Sequence, residues 1–485
     1  MLEDKTVKTV FLTGLLASSG PMFFSALADR HADTIMFVLQ DADEAGYFYH
    51  DLTQLMGTQQ VLFYPSSYRR AVKYGQRDAG SEILRTEVLS RLAQRGGNNG
   101  YDEKGNRKAG NAEAISKAEN AKSGSKAGSS KASKALYIVT CPEALSELVV
   151  SKQRLDERTL SLAVSQTVDI VETEKTLREF GFEQVDYVYE PGQFAVRGSI
   201  LDVYSFSSEL PFRIDFFGDE IDTIRTFNVE DQLSKDKKDA VEIVPELAKM
   251  TEEKMPLTSF LPADTVVAVK DLAYVADTIA RIYDEGFAQQ AVAERLEGAT
   301  EEEQKEIMRS LSRDTQLVSG TRFKEGIAAF RRIDMGHKPL GTPQATITFE
   351  ITPQPLFHKN FELLTRSLAD YVLMGYKIYI LADSEKQTRR LRDIFDSDEV
   401  KTKGEDLPFT PVDHTLHEGF ADNTIRACFF TDHQIFDRFH KYSLKSDTAR
   451  AGKMALTMKE LQEMDPGDFI VHVDFGIGKF GGLVR

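Results

Sequence analysis

Apolar residues in the first part of the chain come in short unbroken runs, divided by polar segments of helical length. Thr9–Leu15, Thr34–Val38, Gln60–Phe63 and Ala135–Thr140 are such runs. Each is strand-length and apolar without alternation, as expected of a strand buried on both faces. The intervals predict helices starting near Phe23 and over Asp43–Leu55, Ile83–Leu92 and Pro142–Val150. Strand and helix alternate, which predicts a parallel sheet. Arg154–Phe180 reads as helical. Thr265–Val269 is another buried strand, and Gly286–Ser312 is a long acidic stretch that reads as a solvated helical face. After a Gly/Pro-rich linker at Pro339–Pro343 come strands at Ile347–Ile351, Lys377–Ala382 and Arg426–Thr431, with helices at Leu363–Met374 and Glu385–Asp396. They predict a second, small α/β domain.

Tyr187–Asp231 follows a different rule. Glu190-Pro191-Gly192-Gln193 predicts a tight turn, Ser205–Pro211 a looser connection and Gly218-Asp219 a hairpin. Between them Phe212–Phe217 alternates, with Phe212, Ile214 and Phe216 on a core face and Arg213, Asp215 and Phe217 on the other. Arg197 lies on the preceding strand, just before Gly198, where a bulge would change the phase. The outer face admits two readings. One is a solvated surface with Arg213 paired to Asp215 or Asp202 and a stray exposed Phe217. The other is a protein-binding face, because binding hot spots place aromatic and Arg residues side by side.

Composition narrows the field. A chain of 485 residues corresponds to about three domains, and 41% hydrophobic residues suffice for packed cores. A net charge of −16 argues against a general grip on nucleic acid. Cys141 and Cys428 are far apart and fit no metal spacing, as a reducing cytoplasm allows. The apolar run Val10–Ala17 is short, and Glu3 and Asp4 dilute the basic residues before it, so it reads as a buried strand, not a signal peptide. No run approaches the roughly 20 apolar residues that cross a bilayer, so no membrane partner is expected. Arg95–Lys134 is rich in Gly, Ala, Ser, Asn and Lys, and cannot bury enough surface to offset its ordering entropy. It is expected to be a disordered insertion. Its positive charge suits weak contact with DNA or RNA, though a solvated linker is the simpler reading.

The strand–loop–helix at the N-terminus is where a phosphate-binding loop would sit. Aligned from Gly14, Ser19 stands for the second Gly, Gly20 for the Lys and Pro21 for the Ser/Thr. The phosphate-binding charge and the Mg²⁺ ligand are both missing, and Pro21 removes a backbone donor. Gly14, Ser19, Gly20 and Pro21 therefore read as a non-functional nucleotide loop. At the end of Thr265–Val269, where a helicase fold places Asp-Glu, this chain has Asp271-Leu272. His414, His417, His433 and His440 form no metal spacing.

The motif EPGQFAVRGSILDVY, followed by PFRIDFFGDEIDTIR, Phe227 and Gln232, resembles domain 2 of the UvrB/Mfd family, most closely its transcription-repair coupling branch. That resemblance implies docking of UvrA, the damage-recognition ATPase of nucleotide excision repair, through Arg197, Arg213 and Phe217. It also implies that the first domain has lost its nucleotide site. The tyrosine-rich DNA-inserting hairpin of UvrB has no counterpart in the short Tyr64–Ser81 segment. Pro466–Leu483 resembles the opening of the family's RNA-polymerase-interacting barrel, and the chain ends before such a barrel closes.

The expected organisation is an α/β, multidomain chain. A degenerate helicase-like parallel-sheet domain spans 1–150, with the insertion at 95–134, and resumes at 238–340. An inserted α+β docking domain occupies 151–237, a small α/β domain 345–450, and a truncated barrel start 465–485. The resemblance implies the N-terminal, UvrA-recruiting part of a cytoplasmic repair factor. Its longer form would displace stalled RNA polymerase at lesions through an ATP- and Mg-dependent DNA motor lying beyond Arg485. The RNA polymerase β subunit and DNA would be partners of that longer form, while this portion would have no catalytic residue, metal or cofactor of its own. The alternative is a UvrB-like protein that itself binds ATP and damaged DNA, against which Ser19, Gly20, Pro21 and Leu272 speak.

Overall fold

The structure is a computed structural model describing residues 1–31, 33–68, 71–75, 77–96, 135–247, 254–395, 409–438, 442, 467, 469–472, 476–479 and 481. Nearly all of the low-complexity segment, the histidine at 440 and much of the final stretch lie outside the described residues. The chain divides into two units, one of residues 1–159 and 246–444, the other of 160–245 and 445–485. No helix among the described residues is long and apolar enough to cross a membrane.

The first unit is mixed α/β around a sheet of seven parallel strands, in the order Ala345–Thr348, Thr9–Thr13, Arg331–Met335, Val266–Lys270, Thr34–Val38, Leu136–Thr140, Val61–Tyr64. Thr34–Val38 and Leu136–Thr140 are buried along their whole length, so their apolar runs do not alternate. A second sheet in this unit has five strands: Ile351–Pro353, Phe420–Asp422, Ala427–Thr431, Lys377–Leu381 and Thr410–Val412.

Four predicted elements come out differently. Ile347–Ile351 is not one strand. Ala345–Thr348 extends the seven-stranded sheet beside Thr9–Thr13, and Ile351–Pro353 pairs with Phe420–Asp422 in the other. Both halves have strand-like composition, so local pattern carries no sign of the division. Pro142–Val150 is helical only over Pro142–Leu145. Leu148–Val150, with its two β-branched valines, pairs with Lys254–Pro256 instead. Arg154–Phe180 breaks into helix Lys152–Glu157, strand Leu160–Ala163 and helix Ile170–Glu179. Gly286–Ser312 breaks at Gly298 into helices Gln289–Leu296 and Glu301–Ser310. Neither buries a residue, and a Thr300/Glu303 capping box starts the second.

In the second unit, Leu160–Ala163 pairs antiparallel with Ala240–Ile243, so entry and exit of the intervening chain lie side by side. Between them is a six-stranded sheet in the order Ser234–Lys238, Glu220–Phe227, Phe212–Phe217, Ile200–Val203, Gln193–Arg197, Glu183–Gln184. One face packs Phe194, Leu201, Val203, Phe212, Ile214 and Phe216 against Leu177 of helix Ile170–Glu179. The other face is polar. Separately, Phe469–His472 and Gly476–Lys479 form an antiparallel hairpin.

Candidate docking face and the N-terminal loop

Three tight turns set the polar face. Gly192, at φ +88°, closes the turn from Glu190, whose carbonyl accepts from Gln193 N at 3.3 Å. Gly218, at φ +65°, turns Phe217 back onto Glu220. Gly198, at φ +62°, forms a two-residue hairpin with Ser199, and Arg197 faces Ile200 across it. The expected bulge at Gly198 is thus a turn, and register shifts lie instead at Asp215/Phe216 and at Arg225/Phe227.

Cross-strand register places Ala195, Asp202, Arg213, Arg225 and Lys237 in one row. Two arginines directly opposite each other repel, and two carboxylates offset this. Asp202 is 0% exposed although it lies on the polar face. It takes a bidentate pair from Arg213, Nε to Oδ1 at 2.8 Å and Nη2 to Oδ2 at 2.9 Å. Arg197 Nη2 donates to the same carboxylate. Asp215 accepts from Arg225 and from Thr223. Each Asp202 partner is also held from a second side. Arg213 Nη1 donates to Gln232 O at 3.1 Å, and its guanidinium lies 4.5 Å from the Phe227 ring centre. Arg197 Nη1 donates to Asp186 O at 3.2 Å, and its guanidinium lies 4.9 Å from the Tyr187 ring centre. Hydrogen bonding to Asp202 raises the Arg213 pKa further, so its charge is permanent.

Arg197 and Arg213 are therefore brought together through Asp202, and Phe217 stands four positions beyond Arg213 on the same strand with 83% of its surface exposed. Sequence reasoning had named Asp202 only as one of two candidate partners for Arg213. It missed the contributions of Tyr187 and Gln232. Tyr187 offered an aromatic beside the motif as its only signal, and the Gln232 contact is made by backbone, which no side-chain pattern reveals.

The N-terminal loop is occupied by protein contacts. Gly14 sits at φ +85° with the Phe349 carbonyl where a Cβ would be. Ser19 opens helix Ser19–Ala28, and its hydroxyl donates to Leu16 O at 2.6 Å. Gly20 faces the Phe48 ring, and Pro21 is buried in the first turn. Ser18 N donates to Glu418 O at 3.2 Å, and Glu418 N to Ser18 Oγ at 2.9 Å. Asp271, in the left-handed region at φ 52°, precedes helix Leu272–Glu285 without a side-chain capping bond, and its carboxylate accepts from the Gln40 amide at 2.6 Å and His337 N at 3.3 Å.

The inserted sheet and its polar face correspond to a known class, since residues 160–248 match the family described as the UvrB interaction domain. The chain carrying it is a relative of the transcription-repair-coupling factors. It is 21% identical to the one from Bacillus subtilis (strain 168) over 98% of this chain and 42% of that protein. With the protein of the same name from Staphylococcus aureus (strain bovine RF122 / ET3-1) it shares 22% identity over 73% of this chain and 35% of the relative. The corresponding factor of Staphylococcus haemolyticus (strain JCSC1435) is 21% identical over 72% of this chain. The chain spans less than half the length of these curated relatives.

Proposed function

We propose that this chain is the UvrA-recruiting portion of a transcription-repair coupling factor, and that Arg197, Arg213 and Phe217 form its docking face. The observation that carries this reading is Phe217, 83% exposed on the same sheet face as two internally clamped arginines, within a stretch that matches the UvrB interaction domain. A large exposed ring sharing one face with oriented guanidiniums has the make-up of a binding hot spot. On this reading 1–150 with 238–340 is a UvrB-like parallel-sheet domain interrupted by the docking domain, and 345–450 is a second, small α/β domain. The hairpin at 469–479 would begin the RNA-polymerase-interacting barrel. Displacement of polymerase, contact with its β subunit and with DNA, and ATP and Mg chemistry belong to the longer protein, acting in the cytoplasm.

The chain itself would recruit without catalysing, and residues 14–21 would hold no nucleotide. What supports this is that Ser18 N already donates to Glu418 O, Pro21 has no donor, and Gly20 stands where a lysine would be needed. The test is a binding measurement of the whole chain against UvrA from the same source. Saturable binding that Phe217→Ala weakens by about thirtyfold is expected. No binding by a folded chain, or binding indifferent to Phe217→Ala, would overturn the assignment.

A further inference from the structure

We infer that Asp202 is a positioning residue for partner docking, the single buried carboxylate that fixes both docking guanidiniums before the partner arrives. This rests on the docking reading above.

The case begins with burial. Asp202 is 0% exposed, and one side chain contacts arginines from two other strands. A buried carboxylate needs charge pairing and hydrogen bonds. Arg213 satisfies it in a bidentate manner and Arg197 adds a third donor, and both arginines remain partly exposed, Arg197 more so than Arg213. Arginine side chains lose much rotamer freedom when they bind a partner. Here the loss is taken on folding: Arg213 is held by Asp202, the Gln232 carbonyl and the Phe227 ring, and Arg197 by Asp202, the Asp186 carbonyl and the Tyr187 ring. The geometry also limits the face's charge. Two guanidiniums sharing one carboxylate leave a surplus of a single positive charge. Asp202 itself, having no exposed surface, cannot touch a partner, so in a chain that stays folded its effect on affinity passes through the two arginines it holds.

The test compares UvrA binding and thermal unfolding for the full chain, Phe217→Ala, Asp202→Asn, Arg197→Ala, and Asp202→Asn combined with Arg197→Ala. Asp202→Asn should weaken binding by about tenfold or more. The double variant should lose less affinity than the two single losses combined, because the part of the Asp202 effect that passes through Arg197 is absent once Arg197 is removed. Full additivity, or unchanged affinity of a folded Asp202→Asn chain when Phe217→Ala binds more weakly, overturns the inference and leaves the docking face standing. If Phe217→Ala binds normally, the docking reading itself has failed. If Asp202→Asn unfolds, NMR of the unmodified chain decides the matter. Slow exchange of the Arg197 and Arg213 guanidinium protons, unchanged when UvrA binds, is the expected result. Fast exchange in the free chain that slows only in the complex overturns it.

Discussion

Gly14 and Phe349 meet backbone to backbone, the Phe349 carbonyl filling the space a Cβ on Gly14 would need. Gly14 is also at φ +85°, a conformation that disfavours side chains. Gly57 has a similar φ of +79° but nothing within 4 Å of its Cβ direction. Gly57→Ala should therefore carry conformational strain alone. Gly14→Ala should carry that strain plus the displacement of the 349 backbone, for a total of roughly 2 kcal/mol or more. Urea unfolding of both variants checks this. Equal losses would show that the crossing at Phe349 yields without cost.

The same loop predicts an outcome for nucleotide. Titration of the chain with ATP and Mg²⁺ in a calorimeter should give no heat of site binding. A dissociation constant in the micromolar range would mean that a cradle forms despite Gly20 and Pro21.

Asp51 is expected to tilt stability with pH. It lies buried in helix Ala42–Met56 and accepts from His417 N at 2.7 Å. Burial pushes its pKa up to about 7, with the nearby Glu418 adding to the shift, while bonds from Ser18 and the His417 amide oppose it. A carboxyl whose folded pKa lies above its unfolded value holds its proton more tightly in the fold, so stability falls as pH rises between the two values. Asp51→Asn should remove this slope and narrow the stability difference between pH 5 and pH 8 by about 2–3 kcal/mol. Chemical unfolding at the two pH values reads it directly, and an undiminished slope would place the titration elsewhere.

Phe217 and Arg213 should separate when truncated. Phe217→Ala removes an exposed ring and should leave the melting temperature within a few degrees while weakening UvrA binding by about 2 kcal/mol. Sequence alone suggests the same for Arg213→Ala. The structure changes that expectation, because Arg213 supplies two of the hydrogen bonds to buried Asp202. Arg213→Ala should therefore also cost about 2 kcal/mol or more in folding stability. Differential scanning calorimetry beside the binding assay distinguishes the two residues, and equal melting temperatures would mean that Arg197 alone satisfies Asp202.

Much of this protein was legible without coordinates. Runs such as Thr34–Val38 announce strands buried on both faces, because a central parallel strand has no solvent side on which to place polar residues. The alternation in Phe212–Phe217 gave the buried and exposed faces correctly, Phe216 inward and Phe217 outward, since side-chain direction has a period of two residues. Gly192 and Gly218 marked their turns through the backbone conformation they permit. What sequence could not settle involved partners distant along the chain. The division of Ile347–Ile351 between two sheets depends on Thr9–Thr13 and Phe420–Asp422 lying on either side of it. The Gly198 turn depends on Arg197 pairing with Ile200. The choice between Asp202 and Asp215 for Arg213 was decided by register: Asp202 stands directly opposite Arg213 across the strands, while Asp215, two residues along its own strand, meets Arg225. Local sequence determines which faces exist and what they carry, because periodicity and turn chemistry act over a few residues. Which charge meets which is decided only when strands pair, because register is a property of two segments at once.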